Sequence, residues 1–443
     1  QETPAGVLRS PAWSGSGAAT SLRGMNLARK LLLAGSLMRS QYLDRSGLER
    51  RQRARLPGLI RHAVATVPYY RDLFARSGLT ADSIRGVADL QQVPISHRQD
   101  LQAAGTEACT SSAFEPHQME TVLSSGSSGT SITISYDPWF NGMRRALFLR
   151  ALISAGYRFG QRIMLIIHER PNMPPSWLRW NYIPSERPPE YHYEVFQATR
   201  PQILYGFLTP LRQLAEVAAT NPGRTHRPRA IVSTAEVLDD TTRGFLSETF
   251  GAPVFDIYGS TENGPLIWQC SPCGEYHAAE DAAIFEFLPV PGRDACRLVV
   301  TNLEQRGMPM IRYDTGDLVR PGSMDRCSCG RTLARIEHIE GRVMDCVRLP
   351  CGRSLSPYYV TEELEGVEVD RFQLVQERLD AVTVRLQGDR AGTGAVAAQV
   401  HELLGPLLGP EVRINLEPVA SVEPLPGRKF RAVECRIGAE ARQ

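Results

Sequence analysis

Two short apolar segments with a helical segment between them place the strongest limit on how this chain can fold. Residues 161–167 (QRIMLII) and 229–233 (RAIVS) have the length and apolar character of buried strands, and residues 211–219 between them show helical spacing. Strands that are apolar on both faces and alternate with helices are typical of a parallel sheet covered by helices on either side. The pattern therefore predicts an α/β fold.

The same alternation continues on both sides of these segments. It predicts helices within 31–78, at 138–155 and at 239–250, and strands at 120–123, 132–136, 254–258 and 297–301. From Gly341 onward the pattern changes to mixed helix and strand. A segment of about 100 residues is long enough for a small separate domain.

We therefore divide the chain into a large α/β domain at 25–340 and a small α+β domain at 341–443. Within the small domain we expect a hairpin between 342 and 355, helices at 357–365 and 395–405, and strands at 371–376, 380–386 and 411–416. Residues 1–24 are rich in Gly, Ser and Ala, and we expect them to be a tag or a disordered tail.

Charge and composition exclude several classes of protein. The 443 residues include 50 Lys and Arg against 48 Asp and Glu, a net charge of +2 that is too balanced for a dedicated nucleic-acid binder. No apolar run approaches the ~18 residues of a membrane-spanning helix. Nine cysteines, an odd number, argue against a secreted disulfide scaffold. We therefore expect a cytoplasmic protein with neither a nucleic-acid nor a membrane partner.

Four polar segments are candidates for chemistry. Residues 124–130 (SSGSSGT) combine small residues and hydroxyls that can donate to an oxyanion, and residues 258–262 (YGSTE) follow a buried strand, where ligands bind in open α/β sheets. Residues 311–317 (IRYDTGD) carry carboxylates that can accept from ribose hydroxyls, and residues 424–431 (PLPGRKFR) place a lysine in a basic tail. Each segment alone is also explained as a turn, a cap or a solvated tail.

Together and in this order, the segments resemble the adenylate-forming superfamily of acyl-CoA synthetases, peptide-synthetase adenylation domains and luciferases, and most of all its phenylacetate–CoA ligase branch. The resemblance covers roughly residues 50–435. It is carried by VPYYRDLF (67–74), VPISHRQDL (93–101), SSGSSGT (124–130), AEVL (235–238), DIYGSTE (256–262), RLVVTNL (297–303), MIRYDTGD (310–317) and GR (341–342). It implies a large, multi-layer N-terminal adenylating domain and a small C-terminal domain that rotates about residues 341–345.

The resemblance also implies a reaction and its residues. A carboxylic acid, aromatic or otherwise small, would react with ATP and Mg²⁺ to give an acyl-adenylate and pyrophosphate, and CoA would then accept the acyl group. Lys429 would stabilise the charge that develops in the first step, Thr261 would bind the α-phosphate, and Glu262 would help to hold Mg²⁺. The residues implied to bind ATP are Ser124, Ser125, Gly126, Ser127, Ser128, Gly129, Thr130, Ala235, Glu236, Asp256, Tyr258, Gly259, Ser260, Asp317 (at the ribose) and Arg342.

Two cysteine-rich segments predict a metal site. Residues 270–277 (CSPCGEYH) and 327–330 (CSCG) are turns with closely spaced thiols and one histidine, which suit a tetrahedral, structural Zn²⁺. Some members of the ligase branch have a Cys, a His seven residues later and a Cys-x-Cys-Gly segment, which match Cys270, His277, Cys327 and Cys329 here. Cys273 is then spare or replaces His277, and the alternative is a set of unliganded thiols.

Several points stay open at this stage. The acceptor could be an amine or a carrier protein instead of CoA, and a homodimer is one possible assembly. A zinc-ribbon binding protein is the alternative from another class, and the near-neutral charge counts against it. The acid is not identified; its pocket is expected to draw on residues 168–184, 204–209 and 235–237. Aromatic side chains there are Trp177, Trp180, Tyr182, Tyr205 and Phe207.

Overall fold

The computed structural model describes most of the chain beyond its first 26 residues. The described residues are 27–124, 132–167, 179–221, 223, 225–291, 294–342, 345–351, 354–355, 357–364, 366–422 and 430–437. The predicted tail at 1–24, the predicted phosphate-loop residues 125–130, Trp177 and Lys429 lie outside them.

Helices occupy the N-terminal third and then alternate with strands. The α-helices of the described residues are α1 (Leu27–Ser40), α2 (Arg45–Thr66), α3 (Pro68–Arg76), α4 (Arg98–Cys109), α5 (Pro138–Ser154), α6 (Pro189–Thr199), α7 (Leu208–Ala219), α8 (Asp240–Phe250), α9 (Pro357–Leu364) and α10 (Gly394–Leu408). Short 3-10 helices lie at Ala81–Ser83, Val87–Gln92 and Pro116–Gln118. Among these described helices, none is long and apolar enough to cross a bilayer.

Strands make up one large sheet and three small ones. The strands are β1 (Glu120–Leu123), β2 (Thr133–Tyr136), β3 (Ile163–Ile167), β4 (Trp180–Pro184), β5 (Ile203–Phe207), β6 (Ala230–Thr234), β7 (Val254–Ser260), β8 (Gly264–Gln269), β9 (Tyr276–Ala278), β10 (Ala283–Pro289), β11 (Cys296–Asn302), β12 (Tyr313–Pro321), β13 (Arg335–Arg342), β14 (Val347–Arg348), β15 (Ser354–Leu355), β16 (Arg371–Arg378), β17 (Ala381–Gln387), β18 (Arg413–Val419) and β19 (Val433–Cys435).

The large sheet contains eleven strands in the order β10-β11-β12-β13-β9-β8-β7-β6-β5-β3-β4. Strands β4, β3, β5, β6 and β7 are parallel, as the apolar segments predict. Beyond β7 all neighbouring strands are antiparallel. Only residues 261–263 join β7 to β8, and so short a connection cannot make the crossover that a parallel pair needs. The sheet is therefore mixed, and the α/β fold class is confirmed.

Side chains on opposite faces of the parallel strands enter two different apolar cores. In β3, Ile163 and Leu165 pack with helices α1, α2, α3 and α5, whereas Met164 and Ile166 pack with α6, α7 and α8. This two-sided burial explains why β3 is continuously apolar in the sequence and why every residue of β6 is buried. A third core, formed from residues between Val347 and Val433, lies around the four-stranded sheet β18-β17-β16-β19.

A buried ion pair fixes the N-terminal helices to the large sheet. Arg150 of α5 donates to Asp281 at 2.8 Å, and both side chains are completely excluded from solvent. Ser40, at the end of α1, donates to the same carboxylate oxygen at 2.5 Å, and the Arg150 guanidinium lies 4.4 Å from the centre of the Trp268 ring. The pair therefore connects α1, α5 and the segment that precedes β10.

Candidate active site

The central feature of the site is the carboxyl end of β7, where the sequence changes from apolar to Tyr258-Gly259-Ser260. Gly259 is required there by close packing: a Cβ at this position would lie 2.8 Å from the carbonyl oxygen of Gly264 and 2.9 Å from Cα of Pro265. The next residues turn the chain into β8, and Tyr136 donates to the carbonyl oxygen of Thr261 at 2.5 Å. The turn that carries Thr261 is therefore held by contacts from both sides.

Glu262 lies at the end of this turn in a buried, positively charged environment. Its side chain is 7% exposed, and Arg98 at the start of α4 donates from Nη1 to its Oε1 at 2.7 Å. The second guanidinium nitrogen of Arg98 donates to Oγ of Ser124 at 2.6 Å, and Tyr313 donates to Glu262 at 3.3 Å. These contacts bring the first residue of the Ser/Gly segment close to Glu262.

Ser124, the first residue of the Ser/Gly segment, is hydrogen-bonded to Ile132, which follows that segment in the sequence. Its backbone N–H donates to the carbonyl oxygen of Ile132 at 2.9 Å, and its Oγ accepts from the N–H of Ile132 at 3.1 Å. Ser124 and Ile132, which flank residues 125–131 in the sequence, are therefore paired with each other next to Arg98.

Asp317 lies on β12, across the site from the turn. Tyr258 donates to its Oδ2 at 2.6 Å, and Asp317 is opposite Arg342 in the register of β12 and β13. The other carboxylate of this motif, Asp314, has different partners: Arg297, His97 at 3.4 Å and the N–H of Gly316 at 2.9 Å. Asp314 thus organises its own turn, whereas Asp317 faces Tyr258.

The segment after β6 contains a strained residue, Ala235, and a further carboxylate, that of Glu236. Ala235 has a φ of +74°, a left-handed conformation that costs a non-glycine residue energy and that is common at functional sites. The next residue, Glu236, accepts from Thr209 Oγ1 at 2.6 Å and caps the first turn of α7. Its carboxylate is therefore held by α7.

Asp256 lies deeper, within the sheet. It accepts from Ser233 Oγ at 2.7 Å and from Tyr276 at 3.1 Å. Burial raises the pKa of Asp256 to about 6, and the two hydrogen bonds oppose that shift in part. Asp256 therefore supports β6, β7 and β9 from below the turn.

The two cysteine-rich segments converge into one group. One ligand atom from each of Cys270, His277, Cys327 and Cys329 lies within 4.8 Å of all the others, and Cys273 is not a member of this group. The Sγ atoms of Cys270 and Cys327 are 3.8 Å apart, and Cys329 Sγ is 3.3 Å from His277 Nε2. Tetrahedral Zn²⁺ with bonds of about 2.3 Å to sulfur and about 2.0 Å to nitrogen places such atoms about 3.8 Å and about 3.5 Å apart. The donor set and its spacing therefore fit zinc.

The local backbone favours metal binding as well. Each thiol-bearing turn contains a glycine with positive φ, Gly274 at +79° and Gly330 at +86°, and the N–H of Cys329 points to Cys327 Sγ at 3.5 Å. Burial, assisted by the charge of Arg331, lowers the pKa of His277 to about 4, which keeps the imidazole neutral and able to ligate. Burial raises the pKa of the Cys270 thiol, a cost that a bound cation would remove.

Three residues that the sequence analysis gave no role complete the site: Arg98, Tyr136 and Tyr313. Arg98 lies in the VPISHRQDL segment and Tyr313 in MIRYDTGD, so both segments were noticed without these side chains being singled out. Of the aromatic residues expected near the acid, Trp180 and Tyr205 both make edge-on contacts with Phe148, at centroid distances of 5.9 and 4.9 Å.

Known proteins resemble this chain in sequence. No protein-family model matches the chain. A phenylacetate–coenzyme A ligase from Thermus thermophilus is 26% identical over 367 residues, which cover 76% of this chain and 80% of that protein. One from Pseudomonas putida is 23% identical over 438 residues, 88% of this chain and 95% of that protein. The predicted relationship to the phenylacetate–CoA ligase branch is confirmed.

Solved structures share the fold. A 2-hydroxyisobutyryl-CoA ligase in the postadenylation state, in complex with R3-HIB-AMP, superposes with a TM-score of 0.75 at 20% identity, covering 91% of this chain and 92% of that one. The same ligase in complex with 2-HIB-AMP and CoA in the thioesterification state gives a TM-score of 0.61 at 19% identity, covering 90% and 91%. The fold of this chain is therefore that of these CoA ligases.

Proposed function

We propose that this relative of the phenylacetate–CoA ligases activates a small carboxylic acid with ATP and transfers its acyl group to CoA. First, a carboxylate oxygen of the acid attacks the α-phosphorus of ATP, so that an acyl-adenylate forms and pyrophosphate leaves. The thiol of CoA then attacks the acyl carbon, and AMP leaves. The observation that carries the proposal is the convergence of Ser124, Glu262, Tyr258 and Asp317 at the carboxyl end of β7, the usual ligand position in such sheets.

We propose a role for each of the described residues. Asp317 would accept from the ribose hydroxyls once Tyr258 turns toward the nucleotide, and Thr261 and Ser260 would line the phosphate side of the turn. Glu262 would hold Mg²⁺, which neutralises phosphate charge. The fixed turns provide positioning, the main contribution of a protein to transfer at phosphorus.

Lys429 is proposed to donate to the reacting carboxylate and phosphate oxygens. Among 50 basic residues the chain has only two lysines, Lys30 and Lys429, and Lys429 lies in the tail segment PLPGRKFR. The remaining residues implied to bind ATP, including those of the Ser/Gly segment and Arg342, keep their proposed roles.

The small domain at 341–443 is proposed to move between the two steps. The two states of the 2-hydroxyisobutyryl-CoA ligase match this chain over nearly the same length but with TM-scores of 0.75 and 0.61. When two proteins share the same two domains but orient them differently, the TM-score falls although the number of aligned residues stays nearly the same. This difference supports a C-terminal domain that changes its orientation.

Zn²⁺ bound by Cys270, His277, Cys327 and Cys329 is proposed to be structural. Four protein ligands leave no position for a substrate or a water. The metal would join the β8–β9 turn to the segment before β13. CoA is the proposed acceptor; an amine or a carrier protein is the alternative, and the acid is proposed to be aromatic or otherwise small.

Pyrophosphate release over a panel of aromatic and small aliphatic acids tests the proposal, with CoA and several amines offered as acceptors and products identified by mass spectrometry. We expect acid-dependent release and one acyl-CoA. Lys429→Ala should lose release but still convert a supplied acyl-adenylate to thioester, because the lysine serves only the first step. Lys30→Ala is the matched control and should behave as wild type. Absence of acid-dependent pyrophosphate release would refute the function.

A further inference from the structure

Arg98 is held rigidly at the edge of the site, although it comes from a segment far from the main motifs. The residue two positions before it, Ser96, forms a bridge with Tyr313: the N–H of Ser96 donates to Arg312 at 3.0 Å, and the N–H of Asp314 donates to Ser96 at 2.9 Å. Arg98 is the first residue of α4, and its side chain is 16% exposed. It is therefore a fixed cation rather than a mobile surface arginine.

The two terminal nitrogens of Arg98 have different partners. Nη1 donates to Glu262 at 2.7 Å and Nη2 donates to Ser124 at 2.6 Å, so the planar guanidinium spans the distance between them. A buried carboxylate needs a cation close to it, and Arg98 provides that cation in the ligand-free protein. One end of the guanidinium neutralises Glu262, and the other end lies where the Ser/Gly segment begins.

This arrangement conflicts with metal binding by Glu262 alone. A divalent cation on Glu262 would lie within a few ångströms of the guanidinium, and two cations at such distances in a partly buried site repel strongly. A polyphosphate between them removes the conflict, because its oxygens can pair with Arg98 while Mg²⁺ bridges to Glu262. The position of Arg98 thus makes phosphate a requirement for metal binding.

We infer that Arg98 is a polyphosphate-binding residue that serves as the counter-cation of Glu262 until the nucleotide arrives. The inference rests on the proposed function for the identity of the nucleotide. When ATP or pyrophosphate binds, the guanidinium exchanges Glu262 for phosphate oxygens, and Glu262 becomes free to ligate the divalent ion. Arg98 therefore enforces an order in which metal enters with, and not before, the phosphates.

Binding measurements on the full chain test this exchange with two probes, Mn²⁺ in place of Mg²⁺ and inorganic pyrophosphate. In Arg98→Gln, Mn²⁺ affinity without phosphate, counted from the free-ion electron paramagnetic resonance signal, should rise roughly fivefold or more because Glu262 loses its competing cation. Calorimetric affinity for pyrophosphate should fall roughly tenfold or more because a charged donor is lost. A variant that merely lost structure would not bind Mn²⁺ more tightly and pyrophosphate more weakly.

Two variants isolate the pair. Arg98→Gln combined with Glu262→Gln should lose the gain in Mn²⁺ affinity. Arg45→Gln is the matched control, because Arg45 forms an ion pair of 2.8 Å with Glu280 and that pair is not part of the site. This variant should change neither affinity. If Arg98→Gln leaves both affinities unchanged, or lowers both, the inference is wrong.

If Arg98→Gln does not fold, the Arg98→Lys variant tests the inference instead. One ammonium keeps the charge but cannot span both partners, so Mn²⁺ affinity should stay low while pyrophosphate affinity falls; unchanged pyrophosphate affinity would contradict the inference. Neither probe involves the acid or CoA. A chain that forms no acyl-adenylate therefore refutes the proposed function and leaves the Arg98 result interpretable.

Discussion

Replacing Cys329 by Ser tests the proposed zinc site most directly, because the same segments contain a cysteine that the structure leaves outside it. Cys329 Sγ lies 3.3 Å from His277 Nε2, whereas Cys273 is not part of the group of four. We expect about one equivalent of zinc in wild type and in Cys273→Ser, and loss of tightly bound zinc in Cys329→Ser, since three ligands hold zinc less tightly than four.

The size of the stability effect follows from the length of chain that the metal closes. Cys270 and Cys327 are 57 positions apart, and cross-linking a loop of that length removes unfolded-state entropy worth about 4 kcal/mol at 25 °C. This value treats the metal as a cross-link between the two segments. For a domain of this size, about 4 kcal/mol corresponds to a decrease in Tm of roughly 5–10 °C.

Metal analysis after dialysis and thermal unfolding with and without a strong chelator provide the measurements. Chelation should lower the Tm of wild type and Cys273→Ser but should leave that of Cys329→Ser nearly unchanged. Zinc-free wild-type protein whose melting is insensitive to chelator would show that the four residues pack as ordinary thiols and imidazole. Equal zinc content in both serine variants would place the fourth ligand elsewhere.

Three further predictions concern closely packed positions. Asp281→Asn should destabilise the protein by about 3–5 kcal/mol in urea unfolding, because it leaves the fully buried Arg150 charge without its carboxylate. Asp256 has a folded pKa of about 6, above its unfolded value, so the stability that it contributes is complete below about pH 4 and is lost as pH rises through 6. Asp256→Asn should therefore stabilise the protein at pH 7.5 by about 2–3 kcal/mol, an advantage that urea unfolding should find absent at pH 4. Gly259→Ala should cost roughly 1–3 kcal/mol and slow pyrophosphate release, since its Cβ meets backbone atoms at 2.8 and 2.9 Å; Gly244→Ala, which meets nothing within 4 Å, is the control.

Three of the five parallel strands were predictable because their residues are buried on both faces, whereas β4 and β5 were not predicted. Strands β3, β6 and β7 agree with segments 161–167, 229–233 and 254–258, whose apolar character reflects two separate cores. The antiparallel half, apart from β11, was not predicted. Its strands mix apolar and polar residues irregularly, as in β12 with Asp-Thr-Gly-Asp, and their pairing depends on distant partners rather than on local pattern.

The candidate site was likewise predictable only in part. Motif order predicted the segments around Glu262 and Asp317, and the spacing of cysteines predicted the four side chains that converge, with Cys273 as one additional candidate. Arg98 carries no local signal, since its contact with Glu262 joins residues 164 positions apart. Such a contact follows only from the fold, in this case from the bridge between Ser96 and Tyr313.

The proposed junction between the two domains lies beside the candidate site, because Arg342 is opposite Asp317 in the register of β12 and β13. Gly341 belongs to the large sheet, where it lies opposite Leu318, and its φ of +96° is a conformation that glycine adopts freely. Asp345 is buried and accepts from Arg431 at 2.6 Å, so it belongs with the small domain. The proposed rotation of the small domain would then be taken up within residues 341–345.

That segment also lies beside the strained turn after β6. A Cβ on Gly341 would lie 3.3 Å from Val237, two residues beyond Ala235 with its left-handed backbone. Glu236, between them, accepts from Thr209 of α7 at 2.6 Å. If the nucleotide binds at Ala235 and the small domain rotates as proposed, the close approach of these two short turns is where binding and rotation would affect each other.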